Sequence, residues 1–420
     1  MQNMKLPMLF VCLIFYSCAK LPDVSSFSDV TIASHNGNYN VIDQFSHKEL
    51  GKFTSADAAI QFSIDAMNRG GSINILSGRY ELYKTIHLTN GITLRGSGRR
   101  TELIVMKTDS SQVGITAINA KEVTVTDLSI IAGDTLGSVA GISYDHCGDC
   151  EMDNIYAEGF SKYGIWLKNN SFLCHINNCT AADNAAANIY TDSLFWSRAG
   201  EFMPNLITNC ITYGGGNGIE TNKSIVLNII GCIVHQPKNY GYYIRNISNS
   251  VLISGSRTYQ TQNDAVVVEN SHEINISGNI FCWSRGKGIV LNGVSWGTIS
   301  GNNIIDSGSE QYGGFPGVGD AIGIHLKEAT QSIQITGNNI FNWGGQGIMK
   351  YAVFEDESCE NNSFTSLNLN FYEMGGVVSK GKNSLVKDIV AVDNPSLQGN
   401  PKGPDPLFIP EKLKSFILEK

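Results

Sequence analysis

Between residues 141 and 355, apolar and polar residues alternate in short runs, and the runs themselves recur. The stretches "GISYDHC", "GIWLKNN", "NIYTDS", "GIETNKS", "GYYIRNI", "AVVVEN", "GIVLNGV", "GIHLKEA" and "GIMKYAV" begin at residues 141, 164, 188, 218, 241, 265, 288, 323 and 347. Six of the eight spacings are 23 or 24 residues, and the other two, 30 and 35, carry insertions. A second run follows each of these, as in "CHINNCT", "LITNCI", "INISGNI" and "IQITGNNI". Period-two alternation, β-branched residues and Gly/Asn turns predict strands. A fixed period of this size predicts a solenoid of short strands and tight turns.

The prediction is an all-β parallel β-helix of roughly 10–12 coils. In the second run, the position after the turn residue is Cys179, Cys210, Cys232, Ser256, Asn279, Asn302 and Asn338. Stacked at about 4.8 Å per rung, these residues form an internal column of thiols passing into an asparagine ladder. Upstream, "TSADAAIQFSIDAMNRGG" reads as an amphipathic helix, N-capped around Thr54 or Ser55, that covers the open end of the first coil. The organisation expected is a signal peptide over 1–17, a tether over 18–45, the β-helix over 46–370, and a C-terminal extension over 371–420 with a Pro/Gly linker and short helix.

The start of the chain, with Lys5, an apolar run from Leu6 to Tyr16 and then Ser17-Cys18, is an export signal too short to span a bilayer. A small residue before a cysteine resembles the bacterial lipoprotein box, which implies lipidation at Cys18 and anchoring to the outer membrane, on its periplasmic or its cell-surface side. A net charge of −8 argues against nucleic acid as a partner. Of ten cysteines, only Cys147 and Cys150 in "CGDC" have a disulfide-like spacing, and no second CxxC accompanies them to make a zinc site.

The helix, "SGRYELYKTIHLTNGITLRGSG" and the coils that follow resemble the pectin lyase-like right-handed parallel β-helix superfamily, with a pectate-lyase-3 type of N-terminal arrangement, over roughly residues 40 to 370. "SHKELGKF" stands where that arrangement usually has "GDGxxDD". The resemblance implies a right-handed coil. It covers polysaccharide lyases, glycoside hydrolases, fructotransferases, epimerases and adhesins alike, some of them trimers, so the residues must choose among them.

With each isoleucine of the first run pointing inward, the positions two and four beyond the glycine point outward together. The outward set includes Trp166, Lys168, Tyr190, Asp192, Glu220, Asn222, Tyr243, Arg245, Glu269, His325 and Lys327. Aromatic faces for sugar rings beside charged and amide groups for hydroxyls suit a glycan groove. Lys168 with Asp192 and Arg245 with Glu269 are expected as cross-rung ion pairs. The insertions "LFWSRAGEFMPN" and "DSGSEQYGGFPGVGDA" are expected to wall this face.

Asp192 and Glu220, one rung and two positions apart, put their Cβ atoms about 8 Å from each other, within the range of an inverting glycosidase pair. Glu220, between two tyrosine rungs, is expected in the more apolar surroundings that suit the acid, with Asp192 the base. The function expected is therefore a carbohydrate-active enzyme that cleaves a polysaccharide or oligosaccharide, with no cofactor or metal. The alternatives are a polysaccharide lyase, which would add Ca²⁺, a fructotransferase, and a noncatalytic glycan-binding lipoprotein.

Overall fold

The computed structural model describes residues 29–392, except for 68, 107–110, 134–136, 196–203, 309–320, 343–348 and 371. The insertion residues 196–203 and 309–320, Cys18 and the predicted C-terminal linker and helix lie outside the described residues.

The coil is built from three short strands per turn. One turn runs through Asn217–Asn222, Ile225–Ile230 and Ile233–His235, and each strand pairs in parallel with its counterpart in the next turn. The first strands stack into a sheet of 12, running from Ile86–Leu88 to Tyr372–Ser379, while the second and third strands share a sheet of 27. Both sheets turn the β-branched residues of the repeat into one continuous interior: Ile165, Ile189, Ile219, Ile244, Ile289 and Ile324 are all fully buried.

The turn before each third strand places Asn209, Gly231, Gly255, Gly278, Gly301 or Gly337 at positive φ, where glycine and asparagine are the least strained residues. The residue that follows enters the interior. Asn279 Nδ2 donates to Asn302 Oδ1 at 2.9 Å, and Asn302 Nδ2 donates to Asn338 Oδ1 at 2.9 Å. The thiols of Cys179, Cys210 and Cys232 continue the column, bonded to backbone carbonyls. Cys147 and Cys150 are free thiols, and each is bonded to interior carbonyls.

The helix Ala56–Ala66 covers the N-terminal end of the core with Ala56, Ala59, Ile60 and Ile64. Its N-cap is Ser55 in extended conformation, with no side-chain cap bond. The expected tether is too long. Asp29–His35 pairs with Asn38–Asp43 and, in parallel, with Gly71–Ile75, so Val30, Ile32 and Val41 belong to the core. The expected C-terminal boundary is too early: Leu385–Lys387 and Val390–Val392 extend the ladders of Ser363–Thr365 and Asn368–Asn370.

The last of the aligned stretches is also shifted. His325 pairs with Phe354 and Ile324 with Val353, so "AVFED" carries the rung and Met349 and Tyr351 stand earlier in the strand. Ala352 holds the glycine position, with its carbonyl packed against Gly323. This register turns Glu355 into the coil, where it is fully buried. Its carboxylate accepts from Asn362 Nδ2 at 2.7 Å, Ser384 Oγ at 2.7 Å, the Gly381 amide at 3.3 Å and Ser379 Oγ. A buried carboxylate persists only with donors of this kind.

Candidate functional site on the outer face

The glycine of each first strand sets the site's geometry. A Cβ on Gly218 would lie 2.4 Å from Val234 Cγ1 and 2.6 Å from the Gly241 carbonyl, so Gly218 faces the interior, as does Ile219 after it. Two consecutive inward positions break strict alternation. The residue before the glycine is thereby released to the outer face. Each rung thus offers three outward positions: the expected two, and one contributed by Tyr163, Asn217, Tyr240, Asp264 or Lys287. Sequence reasoning missed this third column, although a polar or aromatic residue before the repeated glycine was its visible signal.

At the upstream end, Tyr163 stacks on Tyr190 with ring centroids 4.3 Å apart, and Trp166 packs against Tyr163 at 5.0 Å. Lys168 Nζ lies 4.0 Å over the Trp166 ring and 3.2 Å from Asp145 Oδ2. The expected Lys168–Asp192 pair is therefore replaced by a pair to the preceding rung. Asp192 Oδ1 instead accepts from Asn222 Nδ2 at 2.8 Å and from Ser193 Oγ at 3.0 Å, while no described residue donates to its Oδ2.

Glu220 does stand between the rungs of Tyr190 and Tyr243. Its surroundings, however, are not apolar. Arg245 Nε and Nη2 meet Glu220 Oε1 at 2.9 and 2.8 Å, and Asn217 Nδ2 meets Oε2 at 2.6 Å. The expected Arg245–Glu269 pair is thus replaced as well, and Glu269 accepts from the Tyr243 hydroxyl at 2.6 Å. In both corrections the cation reaches back one rung, as do the amides of Asn169 to Asp145 and Asn246 to Asn222.

Burial works against the Arg245 charge, but the hydrogen bonds and charge of Glu220 outweigh it and raise the guanidinium pKa. Burial, joined by the charge of Asp192, raises Tyr190, and burial with the Glu269 bond raises Tyr243. Neither tyrosine is a base: the Tyr243 hydroxyl donates to Glu269, and the buried Tyr190 ring backs that of Tyr163.

Further downstream on the same face, His325 Nε2 lies 3.2 Å from Asp356 Oδ1, and its Nδ1 is buried without a hydrogen-bond partner among the described residues. Lys327 flanks it two residues on, opposite Asn292 on the neighbouring rung. Asp264 Oδ1 accepts from the Lys287 amide at 2.6 Å, and burial raises the Asp264 pKa in spite of Lys287, Lys327 and His325 nearby. Among the described residues no three His, Cys, Asp or Glu side chains converge as a metal site.

The chain belongs to the right-handed β-helix family: the profile described as "Right handed beta helix region" matches residues 187–322 and 217–400, together just over half of the sequence. Its fold is similar to that of the A-module of the mannuronan C-5 epimerase AlgE6 of Azotobacter vinelandii, with a TM-score of 0.64 at 15% identity over 81% of this chain and 96% of that one. A mannuronic acid-specific polysaccharide lyase from human gut microbiota gives 0.52 at 12% identity, over 80% of this chain and 90% of that one. The catalytic domain of an α-1,3-glucanase in complex with nigerose gives 0.55 at 14% identity, over 87% of this chain and 69% of that one. No curated protein matches the chain in sequence. At these identities the structural likeness establishes the fold, and the chemistry rests on the residues.

Proposed function

We propose that this protein is a carbohydrate-active enzyme that cleaves a glycosidic bond of a polysaccharide or oligosaccharide laid along the outer face of the first-strand sheet. One observation carries the reading: the Tyr163–Trp166–Tyr190 platform adjoins two carboxylates on adjacent rungs, one clasped and one open. Sugar rings stack on such platforms, and paired carboxylates perform glycoside hydrolysis.

We assign the two roles in the reverse of the order first expected. Glu220 has both oxygens engaged as acceptors, so it serves as the ionised member, either as base toward water or as countercharge to the positive charge that develops on the sugar. Asp192 keeps Oδ2 for the substrate and handles the proton at the glycosidic oxygen. Arg245 and Asn217 position Glu220, and Asn222 positions Asp192.

A polysaccharide panel tests this. Reducing ends without ultraviolet-absorbing unsaturated product support hydrolysis, while unsaturated product assigns a lyase. Transferred fructosyl product assigns a fructotransferase, and binding without product assigns an adhesin. Asp192→Asn and Glu220→Gln are each expected to lower kcat by at least a hundredfold, the lower end of a single acid–base contribution. Either variant retaining full activity removes that residue from the mechanism.

The export signal and Ser17-Cys18 support a lipid-anchored protein of the outer membrane, with Cys18 as the anchor. Cys18→Ala is expected to move the protein from the membrane fraction to the soluble one.

A further inference from the structure

Three to four rungs beyond Glu220, about 14–19 Å along the axis, the same face presents a group of side chains that the proposed chemistry leaves idle. Lys287 stands at the position before its glycine, and Lys327 at the fourth position beyond the glycine of the next rung. Neither ammonium makes an ion pair among the described residues. The carboxylates around them are already engaged: Asp264 by the Lys287 backbone amide, Asp356 by His325 and Glu269 by Tyr243.

Two acceptors in the same patch are also unsatisfied. Asn292 Oδ1 and His325 Nδ1 are both buried and accept no hydrogen bond from the described residues. With Nε2 directed at the Asp356 carboxylate, the proton of a neutral His325 sits on Nε2 and leaves Nδ1 as an acceptor. A buried acceptor without a donor is costly, and native structures retain few of them. Two idle cations and two idle acceptors define their complement by elimination: a molecule that carries an anionic group together with hydroxyl donors.

We infer that this end of the groove is a subsite for an acidic sugar, with its carboxylate or sulfate met by Lys287 and Lys327 and its hydroxyls donating to Asn292 Oδ1 and His325 Nδ1, which a turn of each side chain brings to the groove. The inference rests on the glycan reading above and adds a substrate class to it. A neutral glycan would leave both ammoniums without a partner. An acidic one satisfies them, while the aromatic platform four to six rungs away holds the same chain by its ring faces. Charge recognition at one end and stacking at the other would fix both the direction and the register of the bound chain.

The test is calorimetric titration of the full-length protein with a panel of oligouronates, their carboxyl-reduced neutral counterparts and their sulfated derivatives, at low and high salt. Wild type is expected to bind an acidic form at least tenfold more tightly than its neutral counterpart, with a preference that shrinks as salt rises. Lys287→Gln/Lys327→Gln, its fold checked by circular dichroism, is expected to bind the acidic and neutral forms alike. Tighter binding of the oligouronate assigns the subsite to a carboxylate, and tighter binding of the sulfated form assigns it to a sulfate ester. Neutral and acidic chains bound equally by wild type, or a preference that survives in the double variant, overturns the subsite alone. No binding of any chain overturns the glycan reading together with it. Trp166→Ala separates the two sites: it should weaken all the chains together and leave their ratio intact.

Discussion

The upstream and downstream halves of one sheet face are built from the same rung but treat their cations in opposite ways. From Trp166 to Arg245 each charge has a partner: Lys168 has Asp145 and a ring face, Asp192 has Asn222, and Glu220 has Arg245 and Asn217. From Asp264 to Lys327, among the described residues, two lysines have no counterion and two buried acceptors have no donor. A closed network holds reacting groups in place before substrate arrives, which is what chemistry requires. An open set is suited to being completed by a ligand. Under the proposed reading, reaction belongs to the first half and selection to the second.

The sharpest way to break this contrast is to remove one charge from each half and compare stabilities. Arg245→Met leaves the Glu220 carboxylate without its cation. With 31% of the Arg245 side chain exposed, the expected loss is about 2 kcal/mol, below the ~3–5 of a fully buried pair. Lys287→Gln/Lys327→Gln should stay within about 0.5 kcal/mol of wild type, because neither ammonium makes an ion pair with a described residue and Asp264 keeps its bond from the residue 287 backbone amide. Urea denaturation measures both, and equal losses would end the distinction.

Next in size is the platform. Removing the Trp166 ring should weaken glycan binding by about 1 kcal/mol, some fivefold in affinity, as read by calorimetry. An unchanged affinity would mean that the platform is only packing.

The smallest effect is pH-dependent and belongs to the downstream half. Burial lowers the His325 pKa, so on acidification the unfolded chain takes up this proton first, and stability falls as the pH drops below about 6.5. Asp264, raised by burial, works in the opposite sense: the folded protein takes its proton first, and stability gains as the pH falls through the raised value toward the ordinary carboxylate range. His325→Gln should remove the first slope and expose the second in urea titrations across pH. A variant with an unchanged slope would place the pH dependence elsewhere.

What the sequence revealed and what it hid have a common physical cause. Interior positions repeat because every rung must fill the same space, so the isoleucine column and the run from Cys179 to Asn338 could be placed from spacing alone. The outer columns at the second and fourth positions followed by alternation, and the structure brings Trp166, Tyr190, Asp192, Glu220, Tyr243 and Arg245 to one face as expected. The third column was hidden because alternation was carried through the glycine, where the backbone presents two inward residues in succession. Pairing partners were hidden because spacing fixes which residues are neighbours but not which way a long side chain leans. Arg245 has Glu220 on one side and Glu269 on the other, and only the backward reach decides between them. The ends were misjudged where the repeat loses its glycine, as in "AVFED", and where antiparallel strands from Asp29 to Phe53 precede the coil.

The paired inward residues at Gly218 and Ile219 also bear on how such a protein changes over generations. Core and outer face are written in separate letters of each 23-residue unit, so a substitution at any of the three outward letters leaves the interior stack untouched. Duplication of one unit would lengthen the groove by one rung and supply three fresh positions for selection to act upon. A binding surface of this kind can be extended and respecified unit by unit without refounding the fold.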